Sequence, residues 1–183
     1  MRASYHLPIA LFALILLPAA AAAQVSFSGV DGITSTVMQH GQSSFSGIGA
    51  RARLVTMKTA KDFEVCPEIE FWRTTSTLQI YDIHSVRRDA TLGAVARYRF
   101  PAKTWRPYVG GGFSIHFISN EVKAPALGIP DADHSIMKGA LSALAGVSFP
   151  LEGPFETFLE AKYHHVTDYE QLKLNWGLSY NAH

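Results

Sequence analysis

The chain has 183 residues, 48% of them hydrophobic, and its formal net charge at pH 7 is only +1. A nucleic-acid-binding surface would show a basic excess, so this balance argues against nucleic acid as a partner. The single cysteine, Cys66, excludes a framework of internal disulfides.

The first 23 residues have the pattern of a cleavable signal peptide. Arg2 is the only Lys, Arg, Asp or Glu residue before position 31, and an apolar run follows from Leu7 to Leu17. Ala19–Ala23 then supplies a small-residue cleavage site. The apolar run is shorter than the ~20 residues that a transmembrane helix needs. We therefore predict a signal peptide for Sec-type export at 1–23 and one domain at 24–183; an uncleaved N-terminal anchor is the alternative.

The rest of the chain alternates between apolar and polar residues, which is the pattern of β-strands whose faces meet different surroundings. In Trp105–Phe117, the odd positions apart from Gly111 carry Trp, Pro, Val, Phe, Ile and Phe, whereas the even positions carry Arg, Tyr, Gly, Ser and His. No apolar run after Ala23 reaches the length of a membrane-spanning helix. The pattern predicts eight strands, at 24–34, 44–58, 63–73, 88–100, 105–118, 136–150, 154–166 and 170–181.

The predicted connections differ in length between the two ends of the sheet. Long loops are predicted near 35–43, 74–87 and 119–135, and the last connection on that side, near 166–169, is short. Residues 77–83 are themselves strand-like and are interpreted as an extension of the surrounding hairpin. Short turns at one end and long loops at the other are typical of outer-membrane barrels, whose long loops lie outside the cell. The tight turns are predicted near 59–62, 101–104 and 151–153.

Aromatic residues stand near both ends of the predicted strands, on the apolar face. Two such girdles would bracket the apolar band, about 25 Å tall, of a membrane-embedded barrel. A soluble β-sandwich or lipocalin-like binder, with its apolar face buried, is the alternative. The predicted membrane-interface aromatics are Phe71, Phe100, Trp105, Phe117, Phe149, Phe155, Tyr163 and Tyr180.

The polar face of the strands is rich in charge. Arg or Lys facing lipid at mid-membrane costs about 2–4 kcal/mol, so these residues must face the lumen. Eight strands enclose a lumen that side chains just fill, and buried opposite charges must pair. A turn near 59–60 would place Arg51 opposite Glu68. We predict a lumen filled by ion pairs, with a narrow pore for small solutes as the alternative. The predicted lumen residues are Arg51, Arg53, Glu68, Glu70, Arg97, Arg99, Arg106, Lys138, Glu156, Glu160, Lys162 and Lys173.

Two segments, Arg106–Phe113 (RPYVGGGF) and Phe158–His165 (FLEAKYHH), resemble the porin-family outer-membrane barrels of the OmpA-transmembrane, OmpX and opacity-protein type. The resemblance implies an all-β fold, a closed antiparallel eight-stranded up-and-down transmembrane barrel. It implies a monomer, inserted into the outer membrane of a Gram-negative bacterium by the assembly machinery. It also implies a structural, envelope-integrity or surface-interaction role, with outer-membrane lipid and an extracellular ligand of the long loops as partners.

An enzyme is the alternative to this role, because lipid A deacylases are eight-stranded barrels with His, Ser and Glu near the outer leaflet. Here His165 and Thr167 share the lipid-facing parity, and Glu170 follows across the turn. Thr stands where Ser is expected, so we predict no enzyme, and a lipid A-modifying activity remains a further alternative. No cofactor is expected. No metal site is predicted either, because no ligand spacing recurs among the histidines. The histidines considered are His116, His134, His164 and His165.

Overall fold

The structure is a computed structural model, and it describes residues 25–39, 41–56, 62–78, 83–124, 129–166 and 169–182. The predicted signal peptide, residues 1–23, lies outside these ranges. The eight strands are β1 (Val25–Gln39), β2 (Phe45–Thr56), β3 (Phe63–Leu78), β4 (Ile83–Arg99), β5 (Arg106–Ala124), β6 (Ile129–Pro150), β7 (Phe155–Val166) and β8 (Tyr169–Asn181).

Every strand pairs antiparallel with its chain neighbours, and β1 also pairs with β8, so the sheet closes into a barrel. The predicted fold class, a closed antiparallel eight-stranded barrel, is therefore confirmed. Over the part of the barrel where all neighbouring strands pair, closure leaves no free sheet edge, so the backbone groups there are satisfied within the protein. Over the residues that the structure describes, no helix has the length and apolar character that a membrane crossing requires.

The prediction of long loops near 35–43, 74–87 and 119–135 is wrong. β1 continues to Gln39, and two hairpins extend through most of the other two segments as paired strands, β3–β4 and β5–β6. The β3–β4 segment is rich in Ser, Thr, Val and Ile, which favour strands, and continued pairing satisfies backbone groups that a loop would leave to water. β6 pairs with β7 only from Ala140 onward, so residues 129–139 project beyond the β7–β8 connection.

Inward and outward side chains alternate along each strand. Buried residues and exposed residues follow one another along most of β7 and β8. The outward face carries large exposed hydrophobic side chains, including Leu141 at 67% and Ile48 at 64% exposure. An exposed apolar surface of this extent is not expected on a monomer in water. The outer face is therefore suited to an apolar solvent.

Two inward glycines make room for aromatic rings in the lumen. A Cβ at Gly146 would lie 2.5 Å from Cζ of Tyr108, and one at Gly177 would lie 2.5 Å from Cζ of Phe158. Both rings are buried, at 2% and 1% exposure. The lumen is consequently filled between its charged groups, as expected for eight strands.

Candidate functional site

The lumen contains a network of inward-facing charged side chains, the lumen network. Apart from Arg99 and Arg106, its members are at most 4% exposed. Its two charge signs are equal in number, so the network is neutral overall when its histidine neighbours are neutral. Its cations are Arg51, Arg53, Arg97, Arg99, Arg106, Lys162 and Lys173, and its carboxylates are Asp31, Glu64, Glu68, Glu70, Asp89, Glu156 and Glu160.

Glu156 and Glu64 organise the end of the lumen near the predicted tight turns. The Glu156 carboxylate accepts hydrogen bonds from Arg99 Nη2 at 2.6 Å and from Arg106 Nη1 at 2.5 Å. Glu64 Oε2 accepts one from Arg97 Nε at 2.6 Å, and its other oxygen lies 3.4 Å from Arg99 Nη1. Arg99 therefore joins a carboxylate of β3 to a carboxylate of β7.

Three arginines lie close to the carboxylate of Asp31, on β1. Its oxygens lie 3.0 Å from Arg53 Nε, 3.3 Å from Arg97 Nη1 and 3.9 Å from Arg51 Nη1. Arg53 also donates to the Tyr180 carbonyl at 2.9 Å, across the β1–β8 seam. Gly29 permits this approach, since a Cβ there would lie 2.2 Å from Arg53 Nη2, and a bulge in β1 falls between residues 27 and 29.

Arg51 lies in the middle of the lumen and binds two carboxylates. Its two terminal nitrogens each donate to one oxygen of Glu160 at 3.0 Å, which is the bidentate geometry that makes Arg–carboxylate pairs strong. Its Nε donates to Glu68 Oε2 at 3.3 Å. Asn175 completes the Glu160 carboxylate by donating at 2.8 Å. One guanidinium thus connects β2, β3 and β7.

Two lysines share one glutamate further along the lumen. Lys162 and Lys173 are directly opposite each other in the β7–β8 ladder, and like charges in that position are destabilising. Glu70 compensates them both, because Lys162 Nζ donates to it at 3.0 Å and Lys173 Nζ also donates to it. Lys162 donates to Glu68 as well.

These contacts cross the lumen rather than follow its wall. In the order of the closed sheet, β3 stands opposite β7 and next to the strand opposite β8, yet Glu68 and Glu70 of β3 bind the lysines of β7 and β8. The crossing residues are fully buried, with Lys162 and Lys173 at 0% exposure. The lumen is therefore occupied by side chains at this level.

A histidine layer lies beyond the lysines. His116 Nδ1 lies 2.8 Å from Asp89 Oδ2, and Thr91 Oγ1 donates to the other Asp89 oxygen at 3.0 Å. Ser114 Oγ lies 3.3 Å from His116 Nε2, and the His164 ring is 5.6 Å away, edge-on to that of His116. Ser, His and Asp stand in the order of a catalytic triad, but His116 is 0% and Ser114 is 3% exposed, so substrate has no access. Asp89, Thr91, Ser114 and His116 thus form a buried hydrogen-bonded cluster, whereas neither ring nitrogen of His164 has a hydrogen-bond partner among the described residues.

The structure places all twelve predicted lumen residues on the inward face. Arg51 pairs with Glu68 in the β2–β3 ladder, the register that the sequence predicts. Lys138 Nζ lies 5.4 Å from the centroid of the Tyr169 ring. Arg106 is partly exposed at the lumen end. The structure adds Asp31, Glu64 and the histidine layer to the predicted set. A lone acid in the alternating pattern of β1 was the available signal for Asp31.

The eight predicted interface aromatics lie on the outward face. Six are large exposed side chains, and Phe117 and Phe149 are partly exposed. Phe155 packs against Tyr180 with ring centroids 5.7 Å apart, at the end of the barrel near the predicted tight turns. The six are Phe71, Phe100, Trp105, Phe155, Tyr163 and Tyr180.

The structure describes two of the three residues considered for lipid A chemistry. His165 faces outward, and its Nδ1 lies 3.7 Å from Glu170 Oε1, with both side chains exposed by more than half. Thr167 lies outside the described residues. Two more of the histidines considered for metal, His116 and His164, lie inside the lumen, whereas His134 belongs to the projecting part of β6. In the described parts of the chain, no three His, Cys, Asp or Glu residues form a group that could hold a metal ion.

Several solved structures are similar to this chain. Neisserial surface protein A is 17% identical, with 86% of this chain and 99% of that chain covered and a TM-score of 0.58. Ail, the attachment invasion locus protein of Yersinia pestis, in complex with the heparin analogue sucrose octasulfate, is 16% identical, with coverages of 86% and 98% and a TM-score of 0.59. The N-terminal β-barrel domain of OprF from Pseudomonas aeruginosa is 13% identical, with coverages of 86% and 100% and a TM-score of 0.60.

These similarities establish the fold of the chain as that of the eight-stranded outer-membrane barrels of the OmpA and Ail type. At such low identity they establish the fold alone. No protein-family model matches the chain. No curated protein sequence matches it either.

Proposed function

We propose that this chain is a non-enzymatic, monomeric outer-membrane barrel of a Gram-negative bacterium, inserted by the assembly machinery after Sec-type export. Its role is structural or in surface interaction, and its lumen is plugged by ion pairs. The observation that carries the proposal is a distribution of side chains that is the reverse of that in a water-soluble protein. Paired charges fill the centre, and large apolar side chains cover the outside. Only an apolar surrounding solvent favours that arrangement.

The outer face supports the membrane location in detail. From Phe63 to Phe71 on β3, and from Pro107 to Phe117 on β5, no outward residue is charged. Charged residues begin on the outward face two positions beyond Phe71 and four positions beyond Phe117. Arg73, Arg88 and Glu121 follow on the outward face, and Arg88 Nη2 lies 3.4 Å from Glu121 Oε2. A charged row above an aromatic row is the expected boundary between lipid and water.

The proposal that ion pairs plug the lumen rests on carboxylates that each bind side chains of other strands. Glu70 holds two lysines and Glu160 holds Arg51 and Asn175, so each carboxylate connects more than one strand. An ion that entered the lumen would have to break contacts of low exposure and good geometry, at a cost of several kcal/mol. The lumen network therefore supports a sealed barrel over a narrow pore.

The surface role is proposed for the projecting hairpins β3–β4 and β5–β6. Their ends lie beyond the charged row that marks the boundary of the apolar band, so they would stand in water outside the cell. Paired strands present fixed side chains to a partner, and ordering them on binding costs less than ordering a free loop. Ail was solved with a heparin analogue, which is a property of Ail.

The test is heat-modifiability combined with fractionation. The protein is extracted from the outer membrane of a Gram-negative host and run on an SDS gel with and without boiling. We expect a faster-moving unboiled band, because a closed barrel of this pairing resists detergent. Identical mobility, with the protein recovered from the periplasm in soluble form, would contradict the proposal and indicate a lipocalin-like binder.

A further inference from the structure

Beyond the histidine layer the lumen contains a cavity of about 500 Å³, the vestibule. Its volume is within the ~300–1,000 Å³ of small-molecule sites. Its wall is formed largely by hydroxyl and amide side chains, and among the residues that the structure describes no carboxylate lines it. The lining residues that matter here are Gln42, Thr74, Ser76, Ser85, Asn120 and one charged residue, Arg87.

Arg87 differs from every cation of the lumen network. Those cations each lie within 4.0 Å of a carboxylate oxygen. Among the described residues, Arg87 forms no such ion pair, and its Nε is buried without a hydrogen-bond partner. Its cross-strand neighbours, Thr74 and Asn120, are uncharged and also line the vestibule. Arg87 therefore lines the vestibule with its charge uncompensated by any described carboxylate.

Two aromatic rings position the Arg87 guanidinium. Its central carbon lies 5.2 Å from the centroid of the Trp72 ring and 5.0 Å from that of Tyr169. Stacking occupies the face of the guanidinium and leaves its N–H donors in the plane. Trp72 is itself 1% exposed, so the support is buried and fixed. The arrangement places the Arg87 guanidinium at the cavity wall, next to the two rings.

The carboxylates described near Arg87 are bound to other partners. Asp89, two residues along β4, is bound to His116 and Thr91. On the outer face of the barrel, Glu121 lies 2.9 Å from Lys123, and the hydrogen bond and charge of Lys123 hold the pKa of Glu121 below its usual range. Lys138 Nζ lies 5.4 Å from the same Tyr169 ring and adds positive charge at this level.

We propose that the vestibule is a binding site for a small acidic sugar, with Arg87 holding its carboxylate, phosphate or sulfate group. A planar guanidinium binds such oxoanions in a bidentate manner, and the hydroxyl and amide wall suits sugar hydroxyls. The site gives the proposed surface-interaction function a class of ligand. It rests on that function, because the ligand must enter from outside the cell. The ion pairs of the lumen network close the other end of the vestibule.

The experiment uses the detergent-purified protein with Trp105→Phe and Trp176→Phe, which leaves Trp72 as the only tryptophan of three. Glucose 6-phosphate is the probe, with glucose and inorganic phosphate as comparators. Because Trp72 stacks on Arg87, we expect a saturable change of Trp72 fluorescence with glucose 6-phosphate, and binding at least about tenfold weaker with either comparator. Comparator binding as tight as that of the probe would overturn the proposal for a sugar.

Arg87→Gln should abolish the response to glucose 6-phosphate. Arg88→Gln is the matched control, since Arg88 is the next residue of β4 but faces outward, and it should leave binding unchanged. If Arg87→Gln does not fold, Arg87→Lys keeps the charge but not the fork and should bind at least about tenfold more weakly. Equal binding in either Arg87 variant, or no saturable binding by the unaltered site, would overturn the proposal.

Heat-modifiability distinguishes failure of the vestibule site from failure of the proposed function. A faster-moving unboiled band without glucose 6-phosphate binding would overturn the vestibule site alone. Absence of that band in every sample would contradict the barrel function, and with it the site.

Discussion

The two ends of the lumen use arginine in different ways. Near the predicted tight turns, Arg97 and Arg99 lie against carboxylates, with contacts of 2.6 Å to Glu64 and Glu156. At the vestibule, Arg87 lies against two aromatic rings and has no carboxylate partner among the described residues. A paired guanidinium is already satisfied and joins strands, whereas a stacked one keeps donors available for a ligand. The comparison indicates that arginine joins strands at one end of the lumen and is available to a ligand at the other.

The largest effect is expected at Glu160, in the paired region. Glu160→Gln removes the charge that both terminal nitrogens of Arg51 contact, and it leaves that buried guanidinium undercompensated. Breaking a buried pair in this way typically costs about 3–5 kcal/mol. The urea midpoint for loss of the faster-moving unboiled band should therefore fall markedly.

Gln42→Ala is the control for this loss, because Gln42 lies in the vestibule wall and in none of the ion pairs. It should keep the midpoint of the unaltered protein. A midpoint that is equal in Glu160→Gln and in the unaltered protein would contradict a stabilising lumen network.

A smaller effect is expected when both partners of one pair are removed together. Glu70→Gln leaves Lys162 and Lys173 opposite each other without their shared carboxylate, and it should destabilise strongly. Adding Lys173→Met removes one of the two like charges, so part of the lost stability should return, with a coupling of about 1–3 kcal/mol. A double-mutant cycle on urea midpoints measures the coupling. Strictly additive effects would mean that Glu70 and Lys173 do not act as a pair.

The smallest effect is expected from Gly146→Ala, which tests packing rather than charge. The new Cβ would lie 2.5 Å from the Tyr108 ring and 2.7 Å from the Leu159 carbonyl, so the ring must shift. Overpacking of this kind costs about 1–3 kcal/mol. Gly139→Ala is the matched control on the same strand, because its Cβ would meet no atom within 4 Å. Equal urea midpoints for the two variants would argue that the lumen is loosely packed.

Much of the barrel could be predicted because membrane strands expose two different faces. The alternation gave the inward parity of the twelve lumen residues, and turn position gave the Arg51–Glu68 register. The partners across the lumen could not be predicted, since contacts such as Lys173 with Glu70 depend on how the sheet closes. Local pattern carries no information on that closure.

The vestibule was missed for a different reason. Residues 74–87 were predicted as a loop, because the strand pattern weakens where both faces of a hairpin meet water and no longer need to differ. Arg87 therefore had no predicted face. Its stacking on Trp72 and Tyr169 joins β3, β4 and β8, which only the closed barrel brings together.

The central claim, a sealed outer-membrane barrel, is tested most directly by planar-bilayer conductance of the heat-modifiable protein. The structure predicts no steady, reproducible channels, because ion pairs such as Lys162 with Glu68 and Glu70 cross the lumen. Glu160→Gln, which weakens the crossing at Arg51, should give conductance events that the Gln42→Ala control lacks. Steady channels of uniform size from the unaltered protein would contradict the sealed lumen and support a narrow pore.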